Sequence, residues 1–342
     1  MIRETITKGE DDMLKIRRAV CDDIPNIMKF MDEHWKPGNI LAKDRDFFEW
    51  QFVEDGKVNM FIGIDEEEGK IYGIMGVIVY NSSKVPDVSV CTWQTIKSPD
   101  PMLGIHFFDA MWETFGYRYA CSAGLTEKAV KINTLLGGVP TAMDHYYRLA
   151  DRQKYHIAVV KNKYISKAAD TGYQLERISS LEEWQQIISL EQLENRVMSK
   201  DYRYIKKRYF KHPVYHYDIW KIENSKQKSQ DILITREEMV GKHKICKIID
   251  FYGRLETLGK IACALDKLMI EKEYEYVDVY SYGVPATIYE KGGFVRCEKE
   301  DENIIPNYFH PFVQENIVLK MMEPPSKEMV LFRGDGDQDR PC

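Results

Sequence analysis

The stretch Tyr289-Glu290-Lys291-Gly292-Gly293-Phe294 marks the end of a short helix and the start of a new extended segment. A glycine at this place supplies the left-handed backbone that commonly ends a helix. Working outward, the spacing of apolar residues predicts a strand at residues 276–280 and a helix at 285–291. The first half of the chain contains a weaker counterpart, Thr134-Leu135-Leu136-Gly137-Gly138-Val139. The same strand, helix and glycine closure therefore occurs twice.

The remaining hydrophobic patterns repeat around these two closures. In the first half, strands are predicted at 14–20, 59–64, 71–79, 88–96, 117–122, 141–149 and 155–160, with helices after Asp22 and Asp23, near 104–115 and at 127–136. In the second half, strands are predicted at 173–178, 216–222, 231–235, 244–252, 276–280 and 317–321, with helices at 181–190, 256–272 and 285–291. Each half thus reads β-α-β-β-β-α-β-α-β.

Polar residues without a strong apolar pattern separate the two runs at 161–172, which we interpret as a linker. The sequence therefore predicts an N-terminal domain at 1–160 and a C-terminal domain at 173–333. The tail at 334–342 is rich in Asp and Gly, and we expect it to be mobile. It does not fit a calcium-binding loop, because no glutamate follows at the required offset.

The element order and the motif Tyr289 to Phe294 resemble the GNAT (Gcn5-related N-acyltransferase) family, whose fourth helix ends in Tyr-x-Lys-x-Gly-Phe. Three further segments resemble tandem-GNAT proteins of bacterial surface-polysaccharide (O-antigen) gene clusters: His34 to Leu41, Asp100 to Gly104 and His145 to Leu149. The resemblance implies an α/β fold of two tandem GNAT-like domains, each a mixed, mostly antiparallel twisted sheet flanked by helices. It also implies transfer of an acyl group from acyl-CoA to the amine of a nucleotide-linked amino sugar.

Composition excludes several other classes. The 342 residues carry a net charge of −6 and are 44% hydrophobic and 30% charged, an ordinary globular balance. The acidic charge and the absence of a long basic run argue against nucleic-acid binding. No apolar stretch approaches the ~20 residues of a membrane span, so no membrane partner is expected. The start, Met1-Ile2-Arg3-Glu4-Thr5-Ile6, has no apolar signal-peptide core.

The metal-ligating residue types form no recognisable motif. The seven cysteines are scattered without a CxxC pair, which indicates reduced thiols and a cytoplasmic location. His212 and His216 are separated by a proline, which makes a helical ligand pair improbable. We therefore expect no metal. The sequence does not decide whether the protein forms a homodimer.

The best candidate for holding acyl-CoA, either acetyl-CoA or a longer acyl-CoA, is the loop before the helix near 104–115. A helix N-terminus and loop N–H groups can hold a pyrophosphate. The corresponding family pattern is Arg/Gln-x-x-Gly-x-Gly/Ala. In this chain the segment is Pro101-Met102-Leu103-Gly104-Ile105-His106, and only Gly104 agrees with the pattern. Gly104 can equally be a close-packing glycine. The predicted cofactor-binding residues are Trp93, Asp100, Pro101, Met102, Leu103, Gly104 and Ile105.

The features expected of an active acyltransferase are divided between the two halves. Its loop contains Glu256, whose charge disfavours phosphate, but it retains Tyr289 where the resemblance implies a tyrosine that protonates the leaving thiolate. The first half has Thr134 there. A buried structural role for Tyr289 is the alternative. We therefore expect the first half to hold CoA and the second half to shape the acceptor site.

Candidate acceptor residues lie in the two connectors that follow the first helix of each half. His34 can act as a general base near neutral pH, or simply favour the negative end of a helix. Trp35 can cover a sugar face or pack in the core. The other candidates have equally ordinary alternatives, as helix caps or solvated charges: Asp44, Asp46, Lys207 and Arg208.

Two other classes of function remain open from the sequence. An aminoacyl-tRNA-dependent transferase of cell-wall precursors also uses tandem GNAT-like folds, but the chain lacks a strong basic patch for tRNA. A non-catalytic ligand-binding or scaffold protein is favoured by the eroded glycine loops of both halves. Binding of acyl-CoA discriminates between the enzyme and the scaffold.

Overall fold

A computed structural model describes residues 14–224, 227–336 and 338–341. Residues 1–13, where the sequence led us to expect no signal peptide, lie outside the described residues. The described chain divides into two compact units, one formed by residues 14–79 and 83–118, the other by residues 80–82 and 119–341.

The first unit packs helices against an antiparallel sheet. Its strands are β1 (Leu14–Arg18), β2 (Val53–Glu54), β3 (Lys57–Val58), β4 (Met60–Asp65), β5 (Lys70–Val79) and β6 (Val88–Thr95). Its helices are α1 (Ile24–His34), α2 (Ile40–Lys43), α3 (Arg45–Phe52) and α4 (Leu103–Phe115). Within this unit the sheet order is β1-β4-β5-β6. Apolar residues of α1 and α3, such as Ile27 and Phe48, are fully buried against β4 and β5.

The second unit contains the larger sheet. Its strands are β7 (Ala120–Cys121), β8 (Pro140–Ala142), β9 (Asp144–Leu149), β10 (Tyr173–Ile178), β11 (Asp218–Asn224), β12 (Gln227–Val240), β13 (His243–Tyr252), β14 (Tyr274–Tyr282), β15 (Val295–Arg296), β16 (Tyr308–Phe309), β17 (Phe312–Val313), β18 (Lys320–Met322) and β19 (Leu331–Phe332). Its helices are α5 (Glu127–Leu135), α6 (Leu181–Gln185), α7 (Leu190–Glu194), α8 (Tyr202–Ile205), α9 (Ala262–Lys272) and α10 (Ala286–Lys291), and a π-helical turn follows α8 at Lys206–Phe210.

The sheet of the second unit has the order β10-β11-β12-β13-β14-β9-β15. β13 and β14 run parallel, and their pairing ends at Ile248 opposite Val279. β9 pairs antiparallel with the other edge of β14, Leu149 lying opposite Tyr276. The strand predicted at 141–149 in the first domain is therefore an internal strand of the second unit's sheet.

The division into compact units differs from the predicted domain bounds of 1–160 and 173–333 with a linker at 161–172. The structure assigns residues 119–160 to the second unit, because β9 is bonded there on both edges. The predicted strand at 155–160 is reduced to one isolated bridge between Val159 and Ile304.

The C-terminal segment fills the space where β13 and β14 part. Phe332 pairs with Ser281 of β14 through β19. Arg333 N–H donates to the Tyr280 carbonyl at 3.1 Å, and Gly334 N–H donates to the Ile249 carbonyl at 2.7 Å. The chain thus occupies backbone groups of both diverging strands.

Buried ion pairs hold the described part of this segment, whereas its composition led us to expect a mobile tail at 334–342. Lys200 Nζ lies 2.6 Å from Asp250 Oδ2 and 3.0 Å from Asp335 Oδ1. Asp339 is 2% exposed, and its Oδ1 lies 2.6 Å from Arg236 Nη2. The Asp-Gly composition suggested mobility, but each of these two carboxylates is paired with a buried positive charge.

None of the helices in the described part of the chain combines the length and apolar character that crossing a membrane requires.

Replacing Asp339 with Ala should destabilise the protein by about 3–5 kcal/mol, the usual effect of removing one partner of a buried ion pair. The loss leaves Arg236 and the Tyr217 hydroxyl, which donates to Asp339 Oδ2 at 2.7 Å, without their acceptor. Urea unfolding monitored by circular dichroism measures the free energy of unfolding. Asp151→Ala is the matched control, because the Asp151 carboxylate is 75% exposed; equal losses in both variants would contradict the assignment.

The ion pair of Asp339 and Arg236 also makes the free energy of unfolding depend on pH. Burial alone would raise the Asp339 pKa, but the charges of Arg236 and Arg208 outweigh burial and hold that pKa below its ordinary value. A carboxylate with a lowered pKa stabilises the fold above its unfolded pKa of about 3.9 and ceases to do so as the pH falls. The difference in unfolding free energy between wild type and Asp339→Ala should therefore shrink below about pH 4.

Candidate functional site

A β-bulge in β6 precedes the predicted CoA loop of the first unit. Ile74 lies opposite Gln94 and Gly76 opposite Cys91, so Met75 alone faces two residues of β6. One of them, Thr92, has a left-handed backbone with φ of 46°. Glycine is required opposite, because a Cβ on Gly76 would lie 2.3 Å from Thr92 Oγ1. A bulge leaves one residue of the strand outside the regular ladder, where its backbone can face a ligand.

Gly104 lies in the first turn of α4, against the indole ring of Trp93. A Cβ on Gly104 would lie 3.3 Å from Trp93 Nε1. The glycine therefore permits close packing of the helix against the indole, which is the alternative role that the sequence offered for it. The Trp93 Nε1–H group is buried and has no hydrogen-bond acceptor among the described residues. A buried donor without an acceptor costs free energy and marks a place where a ligand can bind.

The Asp100 side chain holds the start of α4. Its Oδ1 accepts the Met102 N–H at 2.8 Å, and its Oδ2 lies 2.7 Å from His106 Nδ1. A carboxylate at a helix N-terminus is favourable for the helix but repels a phosphate. Pro101 and Met102 are exposed, Leu103 is buried, and Ile105 is half-buried with its N–H donating to the Met102 carbonyl.

The residues predicted from the connector after α1 all lie in the first unit. His34 ends α1, its ring 5.0 Å from that of Phe30 and its side chain 39% exposed. Trp35 is half-buried against the core of this unit. Asp44 caps α3 by accepting the Phe47 N–H at 2.9 Å, and Asp46 is exposed in the first turn of that helix. The contacts of Asp44 are therefore those of a helix cap, the alternative role that the sequence offered for it.

The basic residues of the second connector are largely engaged inside the second unit. Arg208 is 7% exposed, and its Nη2 donates to the Asp339 carbonyl at 2.6 Å. This corrects its interpretation as a diphosphate ligand, because the guanidinium already neutralises the C-terminal segment. Lys207 is half-buried; burial, and then the charge of Arg203, lowers its pKa to about 8.

Tyr289 is a core residue. It is 0% exposed, its hydroxyl donates to Ser281 Oγ at 2.9 Å, and its ring stacks on that of Tyr146 at 4.5 Å. Burial raises its pKa, which keeps the hydroxyl neutral. These contacts match the structural alternative, and the neighbouring gap between β13 and β14 is filled by residues 331–334.

Sequence reasoning missed a polar cavity of about 540 Å³ within the second unit. His145 lines it, and His145 Nε2 lies 3.0 Å from Asp278 Oδ2. Arg296 and Asp144, also in the lining, form an ion pair of 2.7 Å. Cavities of this volume accept small molecules.

Behind the cavity wall, charged residues surround Asp278. Lys247 Nζ and Arg333 Nη2 lie 3.8 and 3.3 Å from Asp278 Oδ2. Burial would raise the Asp278 pKa, but Lys247, Arg333 and His145 together lower it. Burial lowers the pKa of Lys247 to about 7. The only sequence signal was polar residues inside apolar strand patterns, which does not show that distant strands bring them together.

The comparisons with known proteins identify the fold. No protein-family model and no curated protein matches the chain. A GCN5-related N-acetyltransferase from Anabaena variabilis superposes with a TM-score of 0.53 at 10% identity, over 90% of this chain and 72% of that chain. A conserved protein of unknown function from Enterococcus faecalis, described as a "Probable N-Acyltransferase", gives a TM-score of 0.54 at 9% identity, over 78% of this chain and 64% of that chain.

The expected α/β fold of tandem GNAT-like halves with mixed, mostly antiparallel sheets is thereby confirmed. At this identity the likeness concerns the fold, and function must be argued from the residues of this chain.

Replacing Tyr289 with Phe should cost about 1–3 kcal/mol of stability, because Ser281 Oγ loses a buried hydrogen-bond partner. Binding of acetyl-CoA should not change. Urea unfolding and calorimetric titration measure the two quantities, with Tyr164→Phe as the control at an exposed tyrosine. Loss of acetyl-CoA binding with unchanged stability would instead make Tyr289 part of the ligand site.

Proposed function

We propose that this protein is an acyl-CoA-dependent N-acyltransferase whose acceptor is the amine of a nucleotide-linked amino sugar. The acyl-CoA part is supported by the fold and by the residues around the start of α4. The sugar part is supported by the resemblance of three segments to proteins of surface-polysaccharide gene clusters and by the polar cavity of the second unit.

One observation carries the proposal: the bulge of β6 leads directly into the Gly104 loop, where the Trp93 Nε1–H lacks an acceptor. Acyl transfer from a thioester needs a donor for the oxyanion of the tetrahedral intermediate and a place for the pantetheine chain. A strand with one residue outside the regular ladder supplies an N–H donor of this kind. The Trp93 indole supplies a second donor beside the loop.

The first unit is the proposed location of acyl-CoA because the equivalent backbone of the second unit is already bonded. Pantetheine in this fold pairs with exposed backbone where the two central strands diverge. In the second unit that backbone belongs to Ile249 and Tyr280, and the C-terminal segment donates hydrogen bonds to both. Asp100 works against phosphate binding in the first unit, and we assign the affinity for CoA mainly to the pantetheine and acyl groups.

In the proposed reaction the neutral amine attacks the thioester carbonyl, and the thiolate leaves after the amine has lost a proton. His34 is the proposed proton acceptor, directly or through water. The resemblance implies that its connector borders the acceptor. Trp35 and Asp46 remain proposed contacts to the acceptor.

The cavity lined by His145 is proposed to bind a polar small molecule, such as a sugar, within the second unit. Its wall offers both charges through Asp144, Arg296 and Lys299, which suits hydroxyl and phosphate groups. Half-buried Lys207 is a proposed contact to the diphosphate.

Titration of the full chain with acetyl-CoA tests the proposal. Wild type should bind, and Gly104→Glu should bind at least about tenfold more weakly, because a carboxylate placed against Trp93 blocks the loop. Thr114→Glu adds the same charge at an exposed site of the same helix and should bind like wild type. Absence of binding to wild type, or equal binding by all three proteins, would overturn the assignment.

Replacing His34 with Ala should lower the acylation rate by about 100-fold or more, the usual contribution of a general base. Transfer from acetyl-CoA to a panel of nucleotide amino sugars measures the rate, and Asn26→Ala, at an exposed residue of the same helix, is the control. An unchanged rate would remove His34 from the mechanism.

A non-catalytic nucleotide-sugar-binding protein is the second candidate. The filled strand gap of the second unit and the Asp100 carboxylate at the start of α4 favour it. Binding of a nucleotide sugar together with no detectable binding of any acyl-CoA would select this function over acyl transfer.

A further inference from the structure

Two histidines and a glutamate from three separate segments meet at one end of the second unit's sheet. His243 is the first residue of β13, and Glu275 is the second residue of β14. The parallel pair Lys244 and Tyr274 brings them side by side. His156 follows β9 and joins them because its N–H donates to the Glu275 carboxylate at 2.8 and 2.9 Å.

The two imidazoles converge on one oxygen atom. The Nδ1 atoms of His156 and His243 each lie 3.7 Å from Oε1 of Glu275, and the three ligand atoms all lie within 4.8 Å of one another. Neighbouring ligands of a tetrahedral zinc ion, with bonds of about 2.0–2.1 Å, are separated by about 3.3 Å. Each contact to Oε1 would have to shorten by a few tenths of an ångström, and the two ring nitrogens, which lie within 4.8 Å of each other, would have to approach to a similar distance.

The two histidine rings make no hydrogen bond to the Glu275 carboxylate through their Nδ1 atoms. At 3.7 Å neither ring nitrogen is within hydrogen-bond distance of the carboxylate. The rings stack face to face, with centroids 3.8 Å apart and planes inclined by 19°. Binding of one ion requires the two rings to turn out of this stack, because a metal ion lies close to the plane of each imidazole that binds it.

The surroundings also suit a bound ion. Glu275 is 0% exposed, and its Oε2 accepts the Ile157 N–H at 2.9 Å, so backbone groups orient the carboxylate as outer contacts do in metal sites. The side chains of His156 and His243 are 42% and 24% exposed, which gives an ion a path from solvent.

We propose that His156, His243 and Glu275 bind one divalent transition-metal ion of the zinc type, with a fourth position open to water. Two imidazole nitrogens and one carboxylate oxygen suit Zn²⁺ or Co²⁺ and not Mg²⁺ or Ca²⁺, which require mostly oxygen ligands. The ion joins the segment after β9 to the starts of β13 and β14. The site does not depend on the proposed acyl transfer, and it differs from the expectation, made from sequence spacing, that no metal binds.

Calorimetric titration with ZnCl₂ of full-length, chelator-treated protein tests the site, in a Cys21→Ser background that removes an exposed thiol. The parent protein should bind one zinc ion. His156→Ala and His243→Ala should each bind at least about tenfold more weakly. His216→Ala removes an exposed histidine outside the cluster and should bind like the parent.

Thermal unfolding of the same proteins supplies the second readout, since an ion that binds only the folded state raises the Tm. Zn²⁺ should raise the Tm of the parent and of His216→Ala but not that of His156→Ala, and Mg²⁺ should raise none. Because the His156 side chain is well exposed, His156→Ala should fold, and its unfolding transition without metal verifies this. No zinc binding by the parent, or equal binding by His156→Ala and His216→Ala, would overturn the proposal.

Discussion

The divergence of the parallel strands β13 and β14 is the constraint on which the second unit depends. Two parallel strands that part leave backbone N–H and carbonyl groups unpaired, and buried groups of this kind must find partners. Here the chain supplies its own: residues 331–334 bond to Tyr280, Ser281 and Ile249. The buried charges of Asp335 and Asp339 hold the segment in place. The same bonds occupy the Tyr280 and Ile249 carbonyls, which a cosubstrate in this gap would otherwise meet.

This arrangement explains why the two halves differ in spite of their common element order. The second unit retains the glycine closure after α10, but Tyr289 at that closure is committed to Ser281 and the core. The first unit has lost most of the glycine loop but retains a bulged strand and a buried indole N–H beside Gly104. The proposed ligand-binding features thus lie in the half whose motif is weaker.

The sequence predicted what local patterns encode. Alternation and helical spacing predicted the element order. The Gly292-Gly293 closure pointed to the fold, because the end of a helix is specified by its own residues. The insertion of β9 beside β14 and of the C-terminal segment between β13 and β14 could not be predicted, because such pairings join distant residues. The same reason hid the contact of His145 with Asp278, and the cluster of His156, His243 and Glu275. Asp-Gly composition indicated a mobile tail only because its buried partners lie far away in sequence.

Hydrogen–deuterium exchange with and without acetyl-CoA tests the central claim, that the first unit holds the cosubstrate while the C-terminal segment occupies the gap in the second. The account predicts slower exchange on binding in the peptide that spans β6 and the start of α4, residues 88–105, with no change in residues 246–252, 278–282 or 331–335. Slower exchange in β13 and β14, accompanied by faster exchange in residues 331–335, would contradict it.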